Sequence, residues 1–150
     1  MSLAAIHYRL SAINQTMNGK FLTKGQLETD VVEWGPMQWL SRPSTTRSRQ
    51  MVCIIVDLAA GGGHNFHYHP GQEELIYVLK GKVEQWLEGE KRTMRPGDAV
   101  FIGCDAVHAS FNVGKSTAQL FVVVGPCRGK AGYRAVDVSK KAPWRGLRQS

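Results

Sequence analysis

In the stretch His67-Tyr68-His69-Pro70-Gly71-Gln72-Glu73-Glu74, two histidines stand one residue apart and a Pro-Gly turn separates them from paired glutamates. Imidazole and carboxylate are the groups that offer nitrogen and oxygen to a divalent transition metal. On a strand, residues two apart point to the same face, so His67 and His69 can direct both rings at one point. Either Glu73 or Glu74 can turn towards that point, but not both, because strand neighbours lie on opposite faces. His108, about forty residues downstream in CDAVHASFN, begins a stretch whose alternate residues Ser110 and Asn112 share its face. Two strand-borne histidines, a carboxylate and a remote histidine would leave open positions on an ion, as catalytic metal centres require. An HxH pair by itself is more often surface polarity; the carboxylate and the remote histidine turn it into a metal reading.

The elements that must position these groups are strands. From Met51 the chain reads MVCIIVDLA, ELIYVLKG, KVEQWLEGE, DAVFIG, HASFNV and AQLFVVVG, β-rich runs of about six residues separated by Gly, Pro or Asp. Nothing from 51 to 125 has the period of an amphipathic helix. VCIIV and LFVVV are apolar on both faces, which predicts strands covered on both sides, in a small barrel or two-sheet sandwich. Residues 1–50 form a lead-in in which VVEWGPMQWLSRP can supply one or two short strands, with Trp34 and Trp39 packing on the core. SRPSTTRSR reads as a polar turn. The expected organisation is a single all-β domain: lead-in 1–50, core 51–125 and a basic C-terminal tail 126–150.

On these residues the chain resembles the cupin superfamily. Gly61-x5-His67-x-His69-x4-Glu74-x6-Gly81 is similar to its first motif with every spacing in place. Gly97-x5-Gly103-x-Asp105-x2-His108-x3-Asn112 is similar to its second, with Gly103 for the usual Pro and Asp105 for the usual second Gly. Residues 82–96 separate the two, and only one motif pair is present, as in a monocupin. The resemblance implies a double-stranded β-helix, a jelly-roll barrel, with a cation held by His67, His69, Glu74 and His108. It also selects Glu74 over Glu73. The ion would be Fe, Mn, Ni, Co or Zn. A cation so held can bind a bidentate oxygen ligand and act as a Lewis acid, or bring dioxygen and substrate together if it is redox-active. The functions implied are a small metal-dependent enzyme, a dioxygenase-like oxidoreductase on a small oxygenated organic molecule, or a sugar or sugar-phosphate isomerase. The non-enzymatic counterpart is a small-ligand binding or sensor module. Cupins commonly pair through their sheets, so a homodimer is expected.

Other residues read more plainly. His64 sits in the Gly-rich turn as a solvated or supporting histidine, and His7 has no visible partner. Cys104 reads as a small buried hydrophobe. Trp86, Phe101, Phe111 and Phe121 read as core or cavity wall. The three cysteines are widely spaced with no CxxC pair, against a disulfide framework or zinc knuckle. The net charge of +7 suggests nucleic acid, but residues 128–150 alone carry +6 and residues 1–127 only +1. That places the charge in the tail, without the aromatic interleaving of a base-stacking platform. The lead-in also lacks a helix-turn-helix pattern, so no nucleic-acid partner is expected. No apolar run approaches the roughly 20 residues of a membrane span, and MSLAAIHYRLSAINQT lacks the pattern of a signal peptide. A cytoplasmic protein without membrane contact is the expectation.

Overall fold

A computed structural model describes residues 19–148; His7 therefore lies outside the described residues. Eleven strands run in chain order as β1 Glu28–Val32, β2 Gly35–Ser41, β3 Val52–Leu58, β4 Gly63–Tyr68, β5 Glu73–Lys80 and β6 Val83–Leu87. They continue as β7 Glu90–Met94, β8 Ala99–Ile102, β9 His108–Asn112, β10 Ala118–Gly125 and β11 Val136–Asp137. All pairs are antiparallel. One sheet has the order β1-β2-β3-β10-β5-β8 and the other β11-β4-β9-β6-β7. The crossing between sheets in sequence, β3 to β4 and β4 to β5, is the jelly-roll arrangement of a double-stranded β-helix. SRPSTTRSR is not all turn, since Pro43–Thr46 forms one helical turn with Pro at its start.

The lead-in supplies two strands, as expected from VVEWGPMQWLSRP. β2 pairs with β3, and Trp39 is buried against Ile54 and Val56 in the main core. That core fills the space between the sheets with Ile54, Val56, Leu58, Ile76, Val78, Leu120 and Val122, joined by Val83 and Met94 from the facing sheet. Alternation decides these positions: β10 reads buried at Ala118, Leu120, Val122 and Val124, and half-buried between them.

The expectation that both faces of β3 and β10 are covered fails. Their outer residues stay half-buried, and beside them Leu75, Tyr77, Leu79 and Phe101 are exposed. The register runs this apolar face unbroken across the sheet, with Phe101 opposite Leu75, Leu75 opposite Val123, and Val123 opposite Cys53. Phe101 thus belongs to an outer face rather than to core or cavity wall. The other sheet differs. Its outer side carries Phe66, Trp86, Ala109 and Phe111, and Val138, Trp144 and Leu147 pack over them. The charged C-terminal segment is therefore amphipathic in effect, with basic side chains in solvent and its apolar residues forming a second, smaller core.

Two turns position the site. Gly81 has φ +92, and a Cβ there would lie 2.7 Å from the Ala118 backbone, so only glycine lets β5 turn so close to β10. Asp105, where the motif has glycine, adopts φ 63, a left-handed conformation that aspartate tolerates better than most residues. Its Oδ1 accepts a hydrogen bond from the Gly71 N–H at 3.1 Å, tying the turn before β9 to the turn before β5. The departure from the motif is thereby absorbed without displacing His108.

Candidate metal centre

His67 lies next to the end of β4 and His69 just beyond it, Glu74 is the second residue of β5 and His108 begins β9, so three chain segments deliver the four side chains. Each of the four is at most 6% exposed. Their ligand atoms all lie within 4.8 Å of one another. Ligands about 2.0–2.2 Å from one transition metal stand within roughly 4.4 Å of each other, so the cluster needs only a few tenths of an ångström to close on an ion. Glu73, one residue before Glu74, points outward and is exposed.

The histidines are oriented from behind. His67 Nδ1 lies 2.6 Å from the Asn65 carbonyl, His69 Nδ1 2.7 Å from that of Arg134, and His108 Nδ1 2.9 Å from that of Ala106. A carbonyl only accepts, so each Nδ1 carries the hydrogen and each Nε2 of a neutral ring turns a lone pair forward. Carbonyl support of this kind fixes the tautomer and orientation that a metal-binding imidazole needs. In front, Glu74 Oε2 stands 2.6 Å from His108 Nε2 and 3.3 Å from His69 Nε2. None of the three atoms has a partner outside this cluster, and all are shut off from solvent. Converging acceptors in a dry site repel unless a proton or a cation sits among them. The donor set therefore fits a divalent transition metal.

Electrostatics agree. Burial pushes the His67 imidazole well below its ordinary value, and the adjoining His64 and His108 push the same way. His67 thus stands neutral, as a ligand must. Burial opposes ionisation of Glu74, but the His108 and His69 imidazoles outweigh it and hold the carboxyl well below the usual range. Burial likewise opposes charge on His108, yet Glu74 raises that imidazole above its ordinary value. Without a cation, His108 therefore holds a proton more tightly than a free imidazole does.

Two residues that the sequence did not single out, Gln72 and Tyr133, hold this arrangement. Gln72, 1% exposed, donates to the carbonyls of Pro126 and Gly132 at 2.8 and 3.0 Å and accepts from the Arg134 N–H at 3.0 Å. It thereby latches the C-terminal segment whose Arg134 carbonyl orients His69. Tyr133 from the same segment tilts over His69, with ring centroids 4.9 Å apart, and burial keeps its hydroxyl protonated. Only the HPGQEE context of Gln72 was a signal, because partners 54 to 62 residues away have no local trace. Asn112 is wholly buried and serves the backbone, bonding to Leu58, Ser116 and Gly114 rather than facing an ion. Cys104 is exposed and outside the cavity wall.

Three of the four, His67, Glu74 and His108, border a small void of ≈ 30 Å³, walled by Met37, Ile54, Val56, Leu120 and Val122, with Trp34 and His64 at one side. That is room for about two water molecules. Ser110 Oγ, on its wall, donates to Gln85 at 2.6 Å. Among the described residues no helix is long and apolar enough to cross a membrane.

Known proteins place this architecture. The chain is 27% identical over 117 residues to the polyketide synthase CurC of Streptomyces cyaneus, covering 78% of this chain and 76% of that one. It is 31% identical over 115 residues to oxalate oxidase GF-2.8 of Triticum aestivum, covering 71% of this chain but only 46% of the relative. The solved structure of KdgF from Halomonas sp. superposes with a TM-score of 0.62 at 24% identity, over 73% of this chain and 96% of that one. The family model described as a cupin domain matches residues 54–124. With the two motifs, the jelly roll and this match, the chain carries a small domain of the cupin superfamily.

Proposed function

We propose that the protein is a metal-dependent cupin enzyme, an oxidoreductase of dioxygenase type that acts on a small oxygenated organic molecule. The observation that carries this reading is the convergence of three carbonyl-oriented Nε2 atoms and the Glu74 carboxylate in a dry pocket. A bound Fe, Mn, Ni, Co or Zn ion would supply Lewis acidity and, for the redox-active metals, a meeting point for dioxygen and substrate. The chain's own part is to hold the ion through His67, His69, Glu74 and His108, and to exclude bulk water by the apolar wall. Likeness to an oxalate oxidase supports a small oxygen-rich substrate, although the match spans about half of that relative's length. Lys140 and Arg148 line an outer groove beside the void and offer a phosphate its cationic partners, so the sugar-phosphate isomerase stands as the second reading.

The test is metal analysis of untagged protein purified without chelator, followed by dioxygen uptake with a panel of dicarboxylates, diketones and enediols. One ion per chain, lost in His67→Ala and Glu74→Ala, with uptake on one substrate class, is the expected result. Absence of a stoichiometric ion refutes the metal reading. A bound ion with tight ligand binding and no turnover identifies a sensor module instead.

The uncovered outer face of the six-stranded sheet supports the expected homodimer. One outer face of the jelly roll is covered by the chain's own C-terminal segment, while the other exposes Leu75, Tyr77, Leu79 and Phe101. A second copy, presenting the same apolar face about a two-fold axis, is the proposed cover.

A further inference from the structure

His64 and His67 are three residues apart, a spacing that on a regular strand would put them on opposite faces. The pairing of β4 with β9 slips between them: His64 faces Ser110 and His67 faces His108, so β4 holds one extra residue. Such a bulge re-aims side chains. Here it brings both rings to the same face, where they stack with centroids 3.6 Å apart and planes 21° apart. Trp34, carried in by the turn between β1 and β2, stacks on the other side of His64 at 4.6 Å, again at 21°. The result is a three-ring pile that ends on the inner histidine.

This pile lies between two spaces. Among the described residues, Trp34, His64 and His67 are the ones shared between the wall of the ≈ 30 Å³ void and that of an outer groove of ≈ 750 Å³. The groove runs past Gly61, Asn65 and Phe111 to Asp137, Lys140 and Arg148. The void is too small for any ligand beyond a pair of waters, whereas the groove holds a small organic molecule with room to spare. A substrate in the groove is therefore separated from Glu74 and His108 by the thickness of the stacked rings. No hydrogen bond pins the His64 ring among the described residues; it is held between Trp34 and His67 by stacking.

We propose that His64 is the movable closure of the metal centre, and that ligands pass from the outer groove to the inner site when its ring leaves the stack. The guarding of an ion rests on the metal reading given above; the closure of the void does not. His64 is a positioning residue in this scheme, and Trp34 holds it shut.

Two measurements test it on the full chain. In the first, Co²⁺ loading and its removal by excess EDTA are timed for the native protein, His64→Ala and His64→Phe. His64→Ala speeds both loading and removal, by roughly 10-fold or more if two stacking contacts are lost, and leaves their ratio unchanged. His64→Phe keeps the stack and stays slow in both. Faster removal with unchanged loading shows that His64 supports the ion directly and overturns the closure, as do unchanged rates in His64→Ala. In the second, metal-free protein is labelled with diethyl pyrocarbonate, and modification of His67 and His108 is followed by mass spectrometry. Labelling is faster in His64→Ala than in His64→Phe; equal labelling overturns the proposal. If Co²⁺ does not bind even to the native protein while labelling separates the two variants, the metal reading falls and the closure stands. Should His64→Ala fail to fold by circular dichroism, Trp34→Ala removes the stack from the outside and is read by the same criteria.

Discussion

Asn112 shares a motif with His108 but does the work of a backbone group, and replacing it separates the two roles. Its side-chain N–H groups donate to the Leu58 and Ser116 carbonyls, both at 2.8 Å, and its Oδ1 accepts from the Gly114 N–H at 2.9 Å. These bonds tie the end of β9 to the end of β3, which belongs to the opposite sheet, and to the loop that follows β9. Asn112→Ala removes three hydrogen bonds worth about 1 kcal/mol each, and it strands their polar backbone partners at a buried position. The expected loss is about 3–5 kcal/mol, a fall in Tm of roughly 6–20 °C for a chain of this size. Asn112→Asp sets a carboxylate against two carbonyls and destabilises at least as much at neutral pH. Chemical denaturation with metal stoichiometry measured in parallel checks this. The folded remainder of either variant still binds its ion, because no atom of Asn112 faces the four ligands. A loss below about 1 kcal/mol, or loss of the ion from a fully stable variant, refutes the reasoning.

Burial pushes the His64 imidazole down to about 4. Its folded value lies below the unfolded value near 6.5, so the unfolded chain binds more protons between those limits, and stability present above pH 6.5 is lost as pH falls towards 4. Urea titration of metal-free protein should show about 2 kcal/mol less stability at pH 5 than at pH 7 from this group, with a smaller drop in His64→Gln. At His108 the sign is opposite: Glu74 raises its folded value, so that contribution is present at low pH and fades as pH rises through the raised value. Metal binding needs His108 neutral, so uptake at a pH below its raised value expels a proton, and calorimetry in buffers of different ionisation enthalpy reads it; buffer-independent heats there would contradict this. Gln72→Ala releases the segment that orients His69 and weakens metal binding by about 10–100-fold in equilibrium titration while leaving all four ligands in place. Leu75→Glu with Phe101→Glu turns the proposed homodimer into a monomer in light scattering, and a native protein already monomeric at micromolar concentration rules the dimer out.

The strand content and the shared face of His67 and His69 were legible because they depend on period, whereas the choice of Glu74 over Glu73 and the set of four ligands came from the resemblance to the cupin motifs. A two-residue repeat sets which face a side chain takes, and the Pro-Gly turn resets that phase between His69 and Glu74. Trp39 and the lead-in strands were also legible, since a large apolar residue among β-formers has few places to go. Phe101 was misread for the complementary reason. DAVFIG alternates, but alternation does not say which of its two faces meets the core, and here Ile102 takes the interior. The apolar outer halves of VCIIV and LFVVV announced a cover without saying that the single chain does not supply it.

What the sequence by itself determined is local: a β-chain, two cupin motifs, and side chains of the right kind at strand spacing to hold an ion. What only the tertiary structure decided depends on contacts between distant segments. The bulge that turns His64 onto His67 exists only because β4 pairs with β9, and Trp34 reaches that stack only because β1 and β2 extend the six-stranded sheet. Gln72 became a latch, and the C-terminal segment a wall of the site, through hydrogen bonds to partners that no short window of sequence contains. Spacing along one strand fixes direction. The meeting of side chains from different strands is set by register and packing, which arise only when the whole chain buries its apolar surface.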